Sequence, residues 1–347
     1  MVLRNLPRLV LANATTLAVA TTLAVVSPPA KAATATVFAS GLYQSLFGLG
    51  TDGVNLYVTG AVGLLRAFSA APANGVVGSI PLAGGPLTTI YSSAKYASAS
   101  GHVAPFQIAP ITGGGIAWAD PDAGPSTGAS FISGTPSGAT PVQFFGVCCG
   151  AGVLPGDGIG LAFDGGHIYF SDGTGGRIGV DPSGSGATQI GPTRYTPDFA
   201  TESWSQIAVA NGKVFIADSG QQRGGAAAEE IFDESASLAP GVRWISTDGT
   251  SGFQDLSVGK IPNPRGIVAV GHFLYVTSAH AVWRVNQTTG ATKRIVSGPQ
   301  FQDLMGITFW NGALYVADSQ TKFGPFVSGV ATATQDGPGE IWKVTLP

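Results

Sequence analysis

One short phrase recurs along this chain, and no other feature restricts its fold so tightly. A strand runs into a tight turn, and a second, aromatic strand follows and closes on a small residue, often beside Asp. The copies are GLGTDGVNLYVTG (48–60), GLAFDGGHIYFSDG (160–173), QIAVANGKVFIADSG (206–220), GIVAVGHFLYVTSA (266–279) and GITFWNGALYVADS (306–319), with a degenerate copy, IAPITGGGIAWADP (108–121). Their central aromatics, Tyr57, Trp118, Tyr169, Phe215, Tyr275 and Tyr315, are spaced 40 to 61 residues apart and mark six units.

Each phrase predicts two antiparallel strands, with Asp-Gly or Asn-Gly supplying the positive φ of the turn. Two more strands usually follow, as in GRIGVDPSG then ATQIG, or GVRWISTDG then GFQDLSVG. A four-stranded sheet cannot bury both faces alone, so repeated sheets must pack on one another. Radial repetition gives an all-β fold, a six-bladed β-propeller of four-stranded antiparallel blades. A β-sandwich or solenoid remains open, because strand alternation does not fix how repeats pack. The 51 glycines and 23 prolines, with only 11% charged residues, suit a chain of many turns and few helices.

The last unit contains GITFWNG, ALYVADS and GEIWKVTLP, three strands where four are needed. Near the other end lies TATVFAS, Thr34 to Ser40, a strand-like stretch with no unit of its own. Pairing of Thr34–Ser40 with Glu340–Leu346 would complete the sixth sheet, close the ring and cover an exposed strand edge.

Residues 1–32 read as an export leader, and 33–347 as a single domain. Arg4 and Arg8 precede a mostly apolar run, Leu9 to Val26, and Ala30-Lys31-Ala32 offers a small-x-small cleavage site. A membrane anchor is the alternative reading of that run. Cleavage predicts a secreted or periplasmic protein with no membrane association. Without Arg4, Arg8 and Lys31 the 17 basic residues become 14, against 20 acids, a net charge of −6. With no concentrated basic stretch in view, nucleic acid is excluded as the expected partner.

The segment IYFSDGTGGRIGVDPSGSGATQIG, 168–191, resembles blades of the YWTD- and NHL-repeat-like (TolB-like) six-bladed propellers. There an aromatic second strand ends in Asp, and a G-R-I strand leads into a D-x-x-G turn. The similarity runs through most of residues 45–346, and implies the fold. It leaves function open, since such scaffolds host binding modules, lyases, lactonases and dehydrogenases alike.

In these propellers the loops between blades share a face with the loops between second and third strands, and long loops are where function concentrates. Ser219–Pro240, with Glu229, Glu230, Asp233 and Glu234, and Ser319–Pro338 are long insertions on that face, read here as irregular loops. Residues just before each first strand approach the central channel: His102, Asp157, Glu202 with Trp204, Asn263 with Arg265, and Asp303 with Met305. Asp157, Glu202, Asn263 and Asp303 form a candidate oxygen-ligand set for Ca²⁺ or another divalent cation, as in the gluconolactonase-like propellers this chain loosely resembles. Such an ion would polarise a lactone carbonyl or phosphoryl oxygen. The competing reading is that these are turn residues hydrogen-bonding their own backbone.

Cys148 and Cys149, the only cysteines, fall in a blade-to-blade crossing on the same face. Adjacent Cα atoms are about 3.8 Å apart, below the roughly 4.4–6.8 Å usual for a disulfide, so a bond between them would be strained. An exported protein rarely keeps free thiols, which favours a vicinal disulfide that stiffens the loop; bonds to other chains, a soft-metal site and simple burial are alternatives. The adjacent cysteines also resemble those of quinoprotein alcohol dehydrogenases, although those have more blades and a tryptophan-docking repeat that this sequence lacks.

Gly124–Gly128, GPSTG, matches G-x-S-x-G but lies in a proline-containing loop instead of a strand-to-helix turn. The four histidines divide between the two faces, which disfavours a three-histidine zinc site. The expectation is a loop-rich face that binds a small molecule, glycan or protein, with Cys148, Cys149, His102, Trp204 and Arg265 as candidate contacts. The alternative is a metal-assisted hydrolase or lyase.

Overall fold

Each repeat of the sequence folds into a four-stranded antiparallel sheet. The computed structural model describes residues 32–62, 75–92, 105–111, 115–120, 129–134, 142–147, 158–164, 166–172, 177–181, 188–190, 205–219, 239–327, 330–335 and 337–347. β1 (Thr34–Ala39) comes first. Sheet one is β2 (Ser45–Thr51), β3 (Asn55–Ala61), β4 (Gly75–Pro81) and β5 (Thr88–Ser92); sheet two is β6 (Ile108–Ile111), β7 (Gly115–Asp120), β8 (Ala129–Gly134) and β9 (Val142–Val147). Sheet three is β10 (Gly158–Asp164), β11 (His167–Asp172), β12 (Arg177–Asp181) and β13 (Thr188–Gln189); sheet four is β14 (Ser205–Ala210), β15 (Lys213–Asp218), β16 (Gly241–Ser246) and β17 (Gln254–Asp255). Sheet five is β18 (Pro264–Val270), β19 (Phe273–Ser278), β20 (Ala281–Asn286) and β21 (Thr292–Ser297).

The last repeat starts with β22 (Leu304–Trp310) and β23 (Ala313–Asp318). A separate hairpin follows, β24 (Thr321–Val327) with β25 (Val330–Gln335), and then β26 (Glu340–Thr345) returns beside β23. The fourth strand of sheet six is β1, which runs antiparallel to β26 with Thr34 opposite Thr345 and Val37 opposite Trp342. The 319–338 insertion is therefore not an irregular loop throughout. Its Thr, Val and Phe content supports a hairpin of its own. No helix among the described residues is long and apolar enough to cross a membrane.

Asn211-Gly212 and Asn311-Gly312 are the two-residue turns foreseen, with φ of 53° and 70°, and 45° and 78°. They join Ala210 to Lys213 and Trp310 to Ala313. Asp52-Gly53 builds a wider turn, in which the Asp52 carboxylate accepts from the N–H groups of Val54 (2.8 Å) and Asn55 (2.7 Å) and from the Tyr57 hydroxyl (2.6 Å).

The core lies between the sheets. Five of the six central aromatics sit on the side of their strand that meets the following sheet, as Tyr57 packs with Ile108, Ile116 and Trp118, Phe215 with Ile267 and Val276, and Tyr275 with Leu304, Leu314 and Trp342; Trp118 faces the preceding sheet instead. Met305, Ala317 and Tyr315 of sheet six cluster with Leu46, Leu56 and Val58 of sheet one. At roughly 1.5–3 kcal/mol per buried large side chain, these interfaces supply the drive that one sheet lacks. The first strands touch in the order β2, β6, β10, β14, β18, β22, and β22 also touches β2.

Register shows how closely they approach. The partners of the central aromatics in the first strands are Gly50, Ile108, Ala162, Ala208, Val268 and Thr308. Two positions earlier stand Gly48, Gly160, Gln206, Gly266 and Gly306; in sheet two, where Trp118 is level with Val58, the same place falls to Gln107, so four of the six are glycine. A Cβ on Gly306 would lie 2.5 Å from the Phe47 carbonyl oxygen, so only glycine lets sheet six meet sheet one this closely.

Hydroxyls stitch the same junctions. Thr59 accepts from the Gly48 N–H (2.7 Å) and donates to the Phe106 carbonyl of the next sheet. Thr277 does the same between the Gly266 N–H (2.7 Å) and the Met305 carbonyl, and Ser171 accepts from the Gly160 N–H at 2.8 Å.

Candidate functional site

The inner edge of a first strand carries backbone groups with no further strand to pair them, and buried groups of that kind need partners. One position after the glycine, the six sheets carry Leu49, Ile108, Leu161, Ile207, Ile267 and Ile307, and at the glycine position itself sheet two carries Gln107. The Gln107 Oε1 accepts from the N–H groups of Leu161 (2.9 Å) and Ile207 (3.0 Å), and its Nε2 donates to the Ile207 carbonyl at 2.8 Å. Gln206 stands at a glycine position in sheet four, is buried, and donates to the Phe47 carbonyl of sheet one at 3.4 Å. Two glutamine side chains thus bridge first strands of sheets two, three, four and one.

A buried charged cluster lies at the junction of sheets five and six. Arg265, in β18, donates through Nη1 to Asp303 Oδ1 and to the Met305 sulfur at 3.0 Å. Asp303 directly precedes β22, and its Oδ2 accepts from the Ser319 hydroxyl at 3.1 Å. Both charged side chains are buried. Burial pushes the Asp303 carboxyl up from the usual aspartate range, against the pull of Arg265.

Beneath this pair Asp318, fully buried at the end of β23, organises the loop. Its carboxylate accepts from the N–H groups of Gln302 (3.0 Å), Asp303 (2.8 Å) and Gln320 (3.2 Å), and from the Trp342 indole at 3.2 Å. Gln320 has a left-handed φ of 53°, uncommon for a residue with a side chain. Its amide reaches Glu340 Oε2 at 3.3 Å. Burial, followed by the charge of Asp318, holds the Glu340 carboxyl above the ordinary glutamate range. In sheet four the equivalent Asp218 takes a different partner, Arg243 Nη1 at 2.8 Å, while Arg243 Nε lies 3.0 Å from Asp255.

Of the residues singled out from the sequence, Arg265 and Asp303 are brought together as partners of one another. Asn263 sits just before Pro264 with a left-handed φ of 42°. Cys148, Cys149, His102, Trp204, Asp157 and Glu202 lie outside the described residues. Among the described residues no group of three or more His, Cys, Asp or Glu is placed to hold a metal ion. Asp318, Glu340, Gln107 and Gln206 were not foreseen. The recurrent terminal Asp of the repeated phrase is the signal that marks Asp318.

No family model matches the chain, and no curated protein matches it. Solved structures do. The PQQ-bound form of aldose sugar dehydrogenase from Streptomyces coelicolor is similar with a TM-score of 0.57 at 15% identity, over 92% of this chain and 100% of that one. A gluconolactonase from Xanthomonas campestris gives 0.58 at 10% identity, over 91% and 90%. A nidogen/laminin complex gives 0.52 at 15% identity, over 75% and 83%. The chain is a β-propeller. Its blades are four-stranded and antiparallel, and at these identities the likeness shows the fold alone.

Proposed function

We propose that the chain is an exported, closed six-bladed β-propeller that binds a small molecule, glycan or protein through its loop-rich face, without chemistry at the channel. Six sheets, first strands touching in cyclic order and the β1–β26 pairing support the closed wheel. The observation that carries the binding reading is the state of Asp303. One carboxylate oxygen is held by Arg265 and the other by Ser319, so this member of the proposed ligand set is already neutralised inside the protein. The glutamine bridges likewise spend polar groups on the scaffold. Cys148 and Cys149, as a vicinal disulfide, would stiffen one crossing of the binding face, for which His102 and Trp204 are further candidate contacts.

The similar structures include two enzymes and a protein complex, so the fold accommodates either class. Metal content and lactone hydrolysis of the purified full chain separate them. The binding reading expects no stoichiometric divalent ion, no chelator-sensitive lactone hydrolysis, and binding to a panel of neutral glycans that Trp204→Ala abolishes. One tightly held ion per chain, lost together with hydrolysis in Asp157→Asn, would establish the metal-assisted hydrolase instead.

A further inference from the structure

We infer that the outer wall of sheet five is a docking surface for an anionic polysaccharide bearing carboxylate or sulfate groups. Between Asp255 and Asp303 the sequence has no Asp or Glu, yet it carries Lys260, Arg265, Arg284, Lys293 and Arg294. The rest of residues 33–347 has nine basic residues against all 20 acids. Arg265 is buried and neutralised by Asp303, which leaves Lys260, Arg284, Lys293 and Arg294 as the uncompensated cations of a segment without acids, in an otherwise acidic protein.

The cations of this wall are held by aromatic rings. Arg284 lies over Phe273, 4.4 Å from the ring centroid, and Arg294 lies over Trp283 at 5.7 Å. Lys293 and Arg294 are exposed on β21, and neither they nor Arg284 form an ion pair among the described residues. Arg284 and Lys293 are also direct cross-strand partners. Like charges in that relation repel, so the sheet carries an electrostatic cost that a bound anion relieves.

Charge density selects the partner. Duplex nucleic acid presents a charge about every 1.7 Å, and the acidic remainder of the molecule repels such a backbone. A polymer with one anionic group per sugar meets the cations singly. An anionic bilayer calls for apolar insertion as well as charge. Among the described residues the exposed large apolar side chains, Val37, Val54, Val62 and Trp310, all lie outside sheet five.

The test uses the purified full chain with polygalacturonate, dextran sulfate, neutral dextran, phosphatidylserine vesicles and duplex DNA as probes. Binding to at least one anionic glycan should weaken tenfold or more between low and high salt, and Arg284→Gln with Lys293→Gln should weaken it by a similar factor. Lys213→Gln, which removes a cation over Trp244 in sheet four, should leave it unchanged. Lys293→Glu distinguishes a folding defect: it should abolish glycan binding while raising the melting temperature, because it replaces cross-strand repulsion with attraction. Wild-type affinity in the double variant, equal binding to neutral dextran, or preference for vesicles or DNA over both anionic glycans would overturn the proposal.

Discussion

Arg265 and Asp303 neutralise each other across the junction of two sheets, with Met305 and Ser319 completing the contacts. Removing either partner leaves the other charge buried without its counter-ion, which typically costs about 3–5 kcal/mol. Arg265→Met and Asp303→Asn should therefore each lower unfolding free energy by an amount in that range. The double variant should cost clearly less than the two together, because it removes both charges. Urea denaturation of the three variants gives the coupling; additive losses would show that the two side chains do not act as a pair.

Gln107→Leu exchanges one side chain for an apolar one of similar size, and by volume alone it is a mild change. The hydrogen bonds argue the opposite. Leucine leaves the N–H groups of Leu161 and Ile207 and the Ile207 carbonyl without the amide that now serves them. An unsatisfied buried group costs about 1–3 kcal/mol, so the variant should lose more than about 2 kcal/mol in a denaturant titration. A gain in stability would show that these groups find other partners.

That contrast also indicates what the sequence discloses and what it conceals. Strand pairs are written locally, as an aromatic, its alternating neighbours and a turn such as Asn311-Gly312, so the recurring strand pairs and the missing fourth strand were legible; in the degenerate copy the aromatic Trp118 stands one residue out of line. The hairpin β24–β25 was not, because its segment carries no copy of the repeated phrase. Gln107 was hidden for another reason: its place in line with Gly48 and Gly306 emerges only from the pairing of Ile108 with Trp118, which sets Trp118 level with Val58 and Val316. The Arg265–Asp303 pair joins residues nominated separately, one for ligand contact and one for metal. Nothing in the spacing of two channel-entry residues tells whether they face a ligand or each other.

Glu340 gives a pH test. Its folded-state carboxyl is held above the ordinary value by burial and by Asp318, so the folded protein keeps this proton more tightly than the unfolded chain. That contribution is present at low pH and is lost as pH rises from about 4.3 through the raised value. Glu340→Gln removes the charge and keeps an acceptor for Gln320. It should be more stable than the wild type at pH 7, with the difference vanishing near pH 4. Thermal melts at the two pH values check this; an equal difference at both would mean that ionisation of Glu340 is not the cause.

Gly306→Ala tests the junction between the last sheet and the first. The added methyl would sit 2.5 Å from the Phe47 carbonyl oxygen, 2.7 Å from the Gly48 Cα and 2.8 Å from the Leu49 nitrogen, all backbone atoms that no rotamer change can move. Overpacking of a core typically costs about 1–3 kcal/mol, and rigid neighbours place this substitution at the upper end. Gly337→Ala provides the control, since a Cβ there meets nothing within 4 Å, and its effect should stay within about 0.5 kcal/mol. Hydrogen exchange adds a spatial readout. If β22 and β2 hold the first and last sheets together, Gly306→Ala should speed amide exchange in β1 and β26 more than in β15 and β16, which lie in sheet four. Uniform acceleration throughout would mean that the damage is global and that this junction has no separate role.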